Sequence, residues 1–231
     1  MGDALLPFPL TERSVHLCVD MQRIFSAEGP WPAPWMVRVL PVVATLAGRH
    51  PEQTVFSRFI PPERPDQMYV AALLHTLGRA ATGECLDLDL LELMPPLAAL
   101  CPPATVVDKT RYSGFAEPKR LAHLREREAD ALIISGSETD VFVLATVLSA
   151  VDLSYRVIVA RDAACSSSDE GHDTLLRLYH SRFSEQTETA DANQSLPDRS
   201  ARRMAERMPA PPVQHRRSIV PDALFATRRG V

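Results

Sequence analysis

Cysteine is scarce in this chain of 231 residues, and its distribution argues against a disulfide scaffold. The four cysteines form no CxxC pair and show no regular spacing: Cys18, Cys85, Cys101 and Cys165. Each lies in or beside an apolar stretch, which favours packed thiols in a reducing compartment. We therefore expect a cytoplasmic protein without structural disulfides.

Long apolar runs are also absent. No stretch approaches the roughly 20 apolar residues that span a bilayer. The opening sequence MGDALLPFPLTERS has no basic segment followed by an apolar run, so it does not read as a secretory signal. These features predict a soluble protein without membrane contact.

Lysine is the scarcest charged residue, and charge is unevenly spread. Lys109 and Lys119 are the only lysines, against 23 arginines, so each lysine is a candidate for a role that arginine could not fill.

Residues 1–196 carry 17 basic and 26 acidic residues, whereas residues 197–231 carry eight arginines, three acids and five prolines. We expect one domain over residues 1–196, followed over 197–231 by a mobile tail or a strap on a neighbouring subunit. Because only one aromatic residue, Phe225, stands among the arginines of the tail, we expect a solvated segment rather than a nucleic-acid contact.

Short β-branched runs alternate with helical patterns, which predicts an α/β fold: a three-layer α/β/α arrangement with a mostly parallel, doubly wound (Rossmann-like) sheet. The predicted strands are Val15–Val19, Thr54–Ser57, Thr105–Val107, Ala131–Ser135 and Arg156–Ala160. The predicted helices are Trp35–Ala47, Met68–Ala81, Pro118–Glu128, Asp140–Val151 and Asp169–Phe183, the last of which ends the compact part. Right-handed crossovers bring the carboxyl ends of all these strands to one sheet edge, where ligands bind.

Three strand ends carry candidate functional residues. Asp20 ends the first strand in LCVDMQRIF, and Lys109 ends the third in VVDKTRYSGF. We expect these opposite charges to lie on adjacent strand ends, and a desolvated pair of this kind is typical of a catalytic site. The fourth strand leads through SGSETDVF into an apolar helix, where Thr139 and Asp140 are suitable cap residues.

Together these motifs resemble the isochorismatase-like hydrolases, a family that includes nicotinamidases, carbamoyl-amide hydrolases and isochorismatases. The matching stretches are Val19–Phe25, Lys109–Phe115 and Gly136–Val143, followed by RDAACSSSDEGHDTLL, and the resemblance covers residues 13–190. The family pattern G-x-x-T-D-x-C-V places its nucleophilic cysteine where this chain has Phe142.

The resemblance implies a role for each matching residue. Asp20 corresponds to the general base and Lys109 to the residue that orients groups and stabilises charge. It also implies a cis peptide at Ser137–Glu138, an oxyanion hole formed by the Glu138 and Phe142 amides, and Thr139 on the substrate side. Phe142 itself has no lone pair with which to form a covalent intermediate. Some relatives hold a metal after the second strand, but SRFIPPERPD has no histidine there, so we expect no metal or other cofactor.

Two functions remain open at this stage. One is a hydrolase of a small amide or vinyl-ether substrate, in which Cys165 or Cys18 is a weak candidate to replace the missing nucleophile. The vinyl-ether reaction needs no nucleophilic cysteine, because Asp20 would protonate the substrate and water would complete the reaction. The other is a catalytically inactive homologue that serves as a binding or scaffold protein. In either case we expect a homo-oligomer that binds a small molecule.

Overall fold

The structure, a computed structural model, describes residues 6, 8, 10–62, 86–116 and 123–192. Its strands are β1 (Val15–Val19), β2 (Thr54–Phe59), β3 (Thr105–Lys109), β4 (Ala131–Ser137), β5 (Arg156–Cys165) and β6 (Thr187–Ala190). They form one sheet in the order β3-β2-β1-β4-β5-β6, and every pairing is parallel. The predicted α/β fold with a parallel, doubly wound sheet is confirmed, and the described sheet is entirely parallel.

Helices cover the sheet. They are α1 (Met36–Arg49), α2 (Pro95–Ala98), α3 (Leu144–Asp152) and α4 (Asp169–Arg182), and residues 123–126 are also helical. Single turns of 3-10 helix lie at Arg23–Phe25, Pro51–Gln53, Leu88–Leu91 and Gly114–Ala116, and a π-helical turn lies at Thr139–Val143. None of the helices in the described ranges is long and apolar enough to cross a membrane.

The centre of the sheet is buried on both faces, as expected for a parallel sheet between helical layers. Every residue of β1 and β4 is buried, which explains why both strands read as nearly continuous apolar runs. Helix α1 packs over β1, β4 and β5 through one apolar face that includes Val39, Val43 and Leu46. The two buried strands therefore provide a rigid base for the residues that follow β1 and β4 at the carboxyl edge of the sheet.

The structure corrects several predicted boundaries. Strands β2 to β5 run further toward the carboxyl edge than predicted, and α1 begins and ends one or two residues later. The compact part does not end at Phe183, because β6 adds an edge strand whose alternating Thr and Glu residues lack an apolar run. The predicted helix over Asp140–Val151 is divided into the π-helical turn and α3.

Other predictions lie wholly or partly outside the described residues. The predicted helix Met68–Ala81 and the tail over 197–231, with its boundary at residue 196, are among them. Of the predicted helix Pro118–Glu128, the structure describes only residues from 123 onward.

Candidate functional site

Asp20 lies immediately after β1, at the point where the winding of the sheet reverses between β1 and β4. Its side chain is fully buried, and its backbone has a φ of 49°, a left-handed conformation that is uncommon for residues other than glycine. Ser57 of β2 donates a hydrogen bond to Asp20 Oδ1 at 2.6 Å. Such a crevice outside the strand ends is where open α/β sheets bind ligands.

Lys109 forms an ion pair with Asp20, with Nζ 2.5 Å from Oδ2 and both side chains completely buried. Nζ also donates a hydrogen bond to the Arg111 carbonyl at 3.0 Å. The expectation that the two charges lie on adjacent strands is wrong, because β2 lies between β1 and β3. The lysine side chain is long enough to reach across the end of β2, where Ser57 contacts the same carboxylate.

The third motif turns sharply at the end of β4. Gly136 has a φ of 116°, and the Ser137–Glu138 peptide is cis, as the resemblance implies. The π-helical turn follows, with the Glu138 carbonyl accepting hydrogen bonds from the Val141 and Val143 amides. The proposed oxyanion hole, formed by the amides of Glu138 and Phe142, stays a prediction.

Thr139 and Asp140 do not cap this helix, contrary to the sequence-based expectation. Thr139 Oγ1 donates to the Cys165 carbonyl at 3.0 Å and lies 2.9 Å from His172 Nδ1. Asp140 Oδ1 instead accepts a hydrogen bond from Ser166 Oγ. Both side chains therefore connect the turn by hydrogen bonds to the end of β5 and the start of α4. Such contacts with distant residues cannot be recognised from the local sequence of a helix cap.

Glu138 is half-buried beside this network. Burial raises the pKa of its carboxyl above the ordinary value, and the Asp140 charge adds to the rise, whereas a hydrogen bond with Ser167 opposes it. Thr139 and Glu138 thus lie at the turn where the resemblance places substrate-side residues, and their role toward a substrate stays a prediction.

Phe142 occupies the centre of the site with 1% of its surface exposed. Its ring centroid lies 4.4 Å from Lys109 Nζ, a cation–π distance. Phe59, Tyr112 and Phe25 surround the ring at centroid distances of 5.3, 5.5 and 5.6 Å. The position that the resemblance assigns to a nucleophile is therefore filled by a packed, chemically inert ring.

Neither candidate cysteine supplies a reactive thiolate. Cys18 and Cys165 are both buried free thiols. Burial raises the pKa of Cys165 to about 12 and raises the pKa of Cys18 as well, so both thiols remain protonated near neutral pH. Within the described ranges, no three His, Cys, Asp or Glu side chains cluster in a way that could hold a metal ion.

Sequence reasoning missed Gln22 and Trp31, which follow β1. Gln22 is fully buried, and its amide exchanges hydrogen bonds with the Phe59 backbone and donates to the Leu91 carbonyl. Trp31 packs against Phe25 and Phe59 at centroid distances of 5.7 and 5.8 Å. Gln22 lies within the VDMQ motif and was detectable there, whereas nothing in the sequence places Trp31 beside the site.

Comparison with known proteins supports the motif-based resemblance. The model of the isochorismatase domain matches residues 14–191. An uncharacterized isochorismatase family protein, PncA of Bacillus subtilis (strain 168), is 39% identical over 66 residues. That match spans 29% of this chain and only 36% of the relative.

Solved structures share the fold at lower identity. The nicotinamidase/pyrazinamidase PncA from Bacillus subtilis has a TM-score of 0.68 at 22% identity, covering 77% of this chain and 99% of its own. A cysteine hydrolase from Pseudomonas syringae pv. phaseolicola 1448A has a TM-score of 0.69 at 21% identity, covering 90% of this chain and 100% of its own. N-carbamoylsarcosine amidase from Thermoplasma acidophilum has a TM-score of 0.61 at 20% identity, covering 78% and 96%. At such identities the similarity shows the fold.

Proposed function

The chain belongs to the isochorismatase family, and from that premise we propose that it hydrolyses a small amide or vinyl-ether substrate through Asp20 and Lys109, without a thiol nucleophile. The observation that carries this proposal is the buried ion pair between these two side chains. Removing two charges from water is costly, and apolar replacements are often neutral or stabilising. A pair of this kind at a ligand-binding edge is therefore better explained by chemistry than by stability.

The contacts of Asp20 suit a general base. Ser57 donates a hydrogen bond to Asp20 Oδ1, and Lys109 Nζ lies 2.5 Å from Asp20 Oδ2. In amide hydrolysis, Asp20 accepts a proton from water as the water oxygen bonds to the amide carbon. The Lys109 ammonium stabilises the negative charge that develops on the carbonyl oxygen. The C–N bond then breaks, and the proton on Asp20 passes to the leaving nitrogen, which gives a carboxylic acid and ammonia.

Vinyl-ether hydrolysis uses Asp20 as a general acid, whereas amide hydrolysis uses it as a general base. A protonated Asp20 donates its proton to the vinyl carbon, and water then adds to the resulting oxocarbenium ion to yield a ketone and an alcohol.

A second candidate function, a catalytically inactive binding protein, rests on Phe142. Its ring is 1% exposed and packs against the ammonium group of Lys109. A water molecule and an amide need room at that position, so hydrolysis requires the ring to turn aside. An inactive homologue makes no such demand.

Product analysis separates the two functions. The purified protein is incubated with a panel of small primary amides, with ammonia as the readout, and with isochorismate, with pyruvate as the readout. Asp20→Asn is the matched control, because it keeps the side-chain shape and removes the base. We expect Asp20→Asn to lower the rate about 10²- to 10⁴-fold while circular dichroism shows an intact fold. If the native protein forms neither product faster than Asp20→Asn, the inactive homologue is the correct reading.

A further inference from the structure

Thr146 of α3 joins the loop that follows β3 to the turn that carries Phe142. The Gly114 amide donates a hydrogen bond to Thr146 Oγ1 at 3.0 Å, and that hydroxyl donates in turn to the Phe142 carbonyl at 2.7 Å. Gly114 and Thr146 are both buried. A hydroxyl has one proton and two lone pairs, so the Thr146 oxygen can accept from the loop while it donates within the helix.

Ser149 makes a second connection of the same kind, three residues further along α3. The Phe115 amide donates to Ser113 Oγ at 3.1 Å, and Ser113 Oγ donates to Ser149 Oγ at 2.8 Å. Ser149 Oγ then donates to the Ala145 carbonyl at 2.8 Å. Thr146 and Ser149, which we call the hydroxyl pair, therefore hold two successive loop amides against α3.

The loop held in this way carries the carbonyl that orients Lys109. Lys109 is the last residue of β3, and its Nζ donates a hydrogen bond to the Arg111 carbonyl at 3.0 Å. Arg111 lies two residues before Ser113, so its carbonyl cannot move far while the hydroxyl pair holds the loop. Tyr112, between them, contacts the Phe142 ring at a centroid distance of 5.5 Å. The position of the Arg111 carbonyl therefore depends on contacts made by α3.

We propose that the hydroxyl pair positions the Lys109 ammonium against Asp20, acting through the loop over residues 111–115. A lysine ammonium ends a flexible chain and has three equivalent protons, so it has no preferred direction of its own. A carbonyl held in place directs one of these protons and restricts where Nζ can lie. The inference rests on the proposed function, in which Lys109 stabilises the charge that develops on the substrate. It makes Thr146 and Ser149 positioning residues, which need not touch the substrate.

The Lys109 side chain can be observed directly, because the chain contains only two lysines. Lys119→Arg leaves Lys109 as the one lysine in a protein grown with ¹³C- and ¹⁵N-labelled lysine, and every variant is made in this background. The Phe142 ring centroid lies 4.4 Å from Nζ, so the ring current should displace the Lys109 Hε protons upfield from their position in free lysine. The size of this displacement reports where the ammonium lies relative to the ring.

Thr146→Val keeps the shape of the side chain and removes its hydroxyl. We expect the displacement of the Lys109 signal to be lost in Thr146→Val and restored in Thr146→Ser, which keeps the hydroxyl. In amide hydrolysis, kcat should fall about 10- to 100-fold in Thr146→Val with little change in KM, and it should recover in Thr146→Ser.

Thr45→Val is the matched control. Thr45 is an exposed residue of α1, and its Oγ1 donates to the Pro41 carbonyl at 2.8 Å, a bond that also reaches four residues back along a helix. Its loss should leave the Lys109 signal in place. Ser149→Ala removes only the second connection, at a partly buried position, and should reduce the displacement without abolishing it.

The inference is overturned if folded Thr146→Val keeps the native Lys109 signal, because a purely structural hydroxyl would lower stability without moving the ammonium. If Thr146→Val does not fold, an unmoved signal in Ser149→Ala overturns the inference. It is also overturned if the native Lys109 signal coincides with that of free lysine, or if Thr45→Val moves it as far as Thr146→Val does.

Failure of the proposed function gives a different result. The native protein then forms neither ammonia nor pyruvate, yet the Lys109 signal moves in Thr146→Val and returns in Thr146→Ser. Hydrolysis by the native protein, together with an unmoved Lys109 signal in Thr146→Val, removes the inference and leaves the function standing.

Discussion

At the level of single residues, Phe142 fills the position that the resemblance assigns to a nucleophile. Its ring centroid lies 4.4 Å from Lys109 Nζ, and burial raises the pKa values of the Cys18 and Cys165 thiols. The frame around the ring is nonetheless retained, including the Asp20–Lys109 pair, the glycine turn and the cis peptide that follows it. A thiol at this position would lie beside a buried cation, an environment that lowers a thiol's pKa.

The substitution Phe142→Cys should therefore create a reactive thiol. We expect residue 142 to react with iodoacetamide faster than free cysteine, and the variant to release ammonia from a small amide. Peptide mass spectrometry after timed alkylation provides the measurement, with Cys18 and Cys165 as internal controls whose raised pKa values keep them slow. Loss of the buried ring should lower the free energy of unfolding by about 1–4 kcal/mol. A folded variant whose new thiol reacts no faster than free cysteine would show that more than the nucleophile is missing.

The buried ion pair makes a second prediction for single residues. Asp20→Asn and Lys109→Met should each destabilise the fold by about 3–5 kcal/mol, since each leaves a buried group without its opposite charge. The double variant should cost much less than the sum of the two. Denaturant unfolding of all four proteins gives the coupling free energy. Additive losses would mean that the pair is not coupled, which would weaken the argument that it is kept for chemistry.

At the level of secondary-structure elements, the absence of a side chain at Gly136 allows the end of β4 to lie close to the backbone of Val19 in β1. A Cβ on Gly136 would lie 2.0 Å from the Val19 carbonyl oxygen, and its φ of 116° disfavours any other residue. Gly136→Ala should cost more than about 3 kcal/mol, because the backbones of two buried strands would have to separate.

Gly48→Ala is the matched control for this prediction. Gly48 lies in α1, where an added Cβ would come no closer than 4.0 Å to Leu100 Cδ2. This substitution should stabilise the protein by about 0.4–1 kcal/mol. Thermal and denaturant unfolding of both variants provides the comparison, and equal losses at the two positions would contradict the close approach of β4 to β1.

The sequence predicts secondary-structure elements well where burial is continuous, and poorly where contacts between distant residues determine the local structure. Strand β1 was predicted with its observed limits, because all five of its residues face the core. Strand β6 was missed because its sequence TETA alternates small and polar residues at a sheet edge. The π-helical turn was read as ordinary helix, since the contacts of Thr139 with Cys165 and His172 depend on residues more than 25 positions away.

At the level of the whole molecule, the winding of the sheet explains why the motifs converge. A doubly wound sheet reverses direction between β1 and β4, so Asp20 and the turn after β4 become neighbours at one crevice. The meeting of the three motifs was predicted from the crossover rule, which brings the carboxyl ends of all the parallel strands to one edge. The rule did not predict that β2 lies between Asp20 and Lys109, or that Trp31 joins the site, because side-chain reach and loop paths are set by packing.

His16 lies in the central strand β1, and its burial makes the stability of the whole fold depend on pH in the acid range. His16 lies in β1 between β2 and β4, and its Nε2 is 2.8 Å from Ser135 Oγ. Burial lowers the pKa of His16 from 6.5 to about 3, so the folded protein holds this ring neutral. The unfolded chain takes up a proton below its own pKa near 6.5, and the folded chain does not do so until near pH 3. The neutral His16 ring therefore does not reduce the free energy of unfolding above about pH 6.5, and it reduces that free energy more and more as the pH falls toward 3.

We expect the free energy of unfolding to fall by as much as about 1.4 kcal/mol for each pH unit within this window. His16→Gln keeps a hydrogen-bonding side chain and removes the titration, so it should be less stable at pH 7 but show a flatter decline between pH 6 and 4. Burial also lowers the pKa of His123, but that side chain is more accessible, and His123→Gln should change the slope less. Urea unfolding at half-unit pH intervals provides the measurement. If the native chain and His16→Gln lose stability in parallel across this window, His16 is not the residue whose protonation opposes the fold.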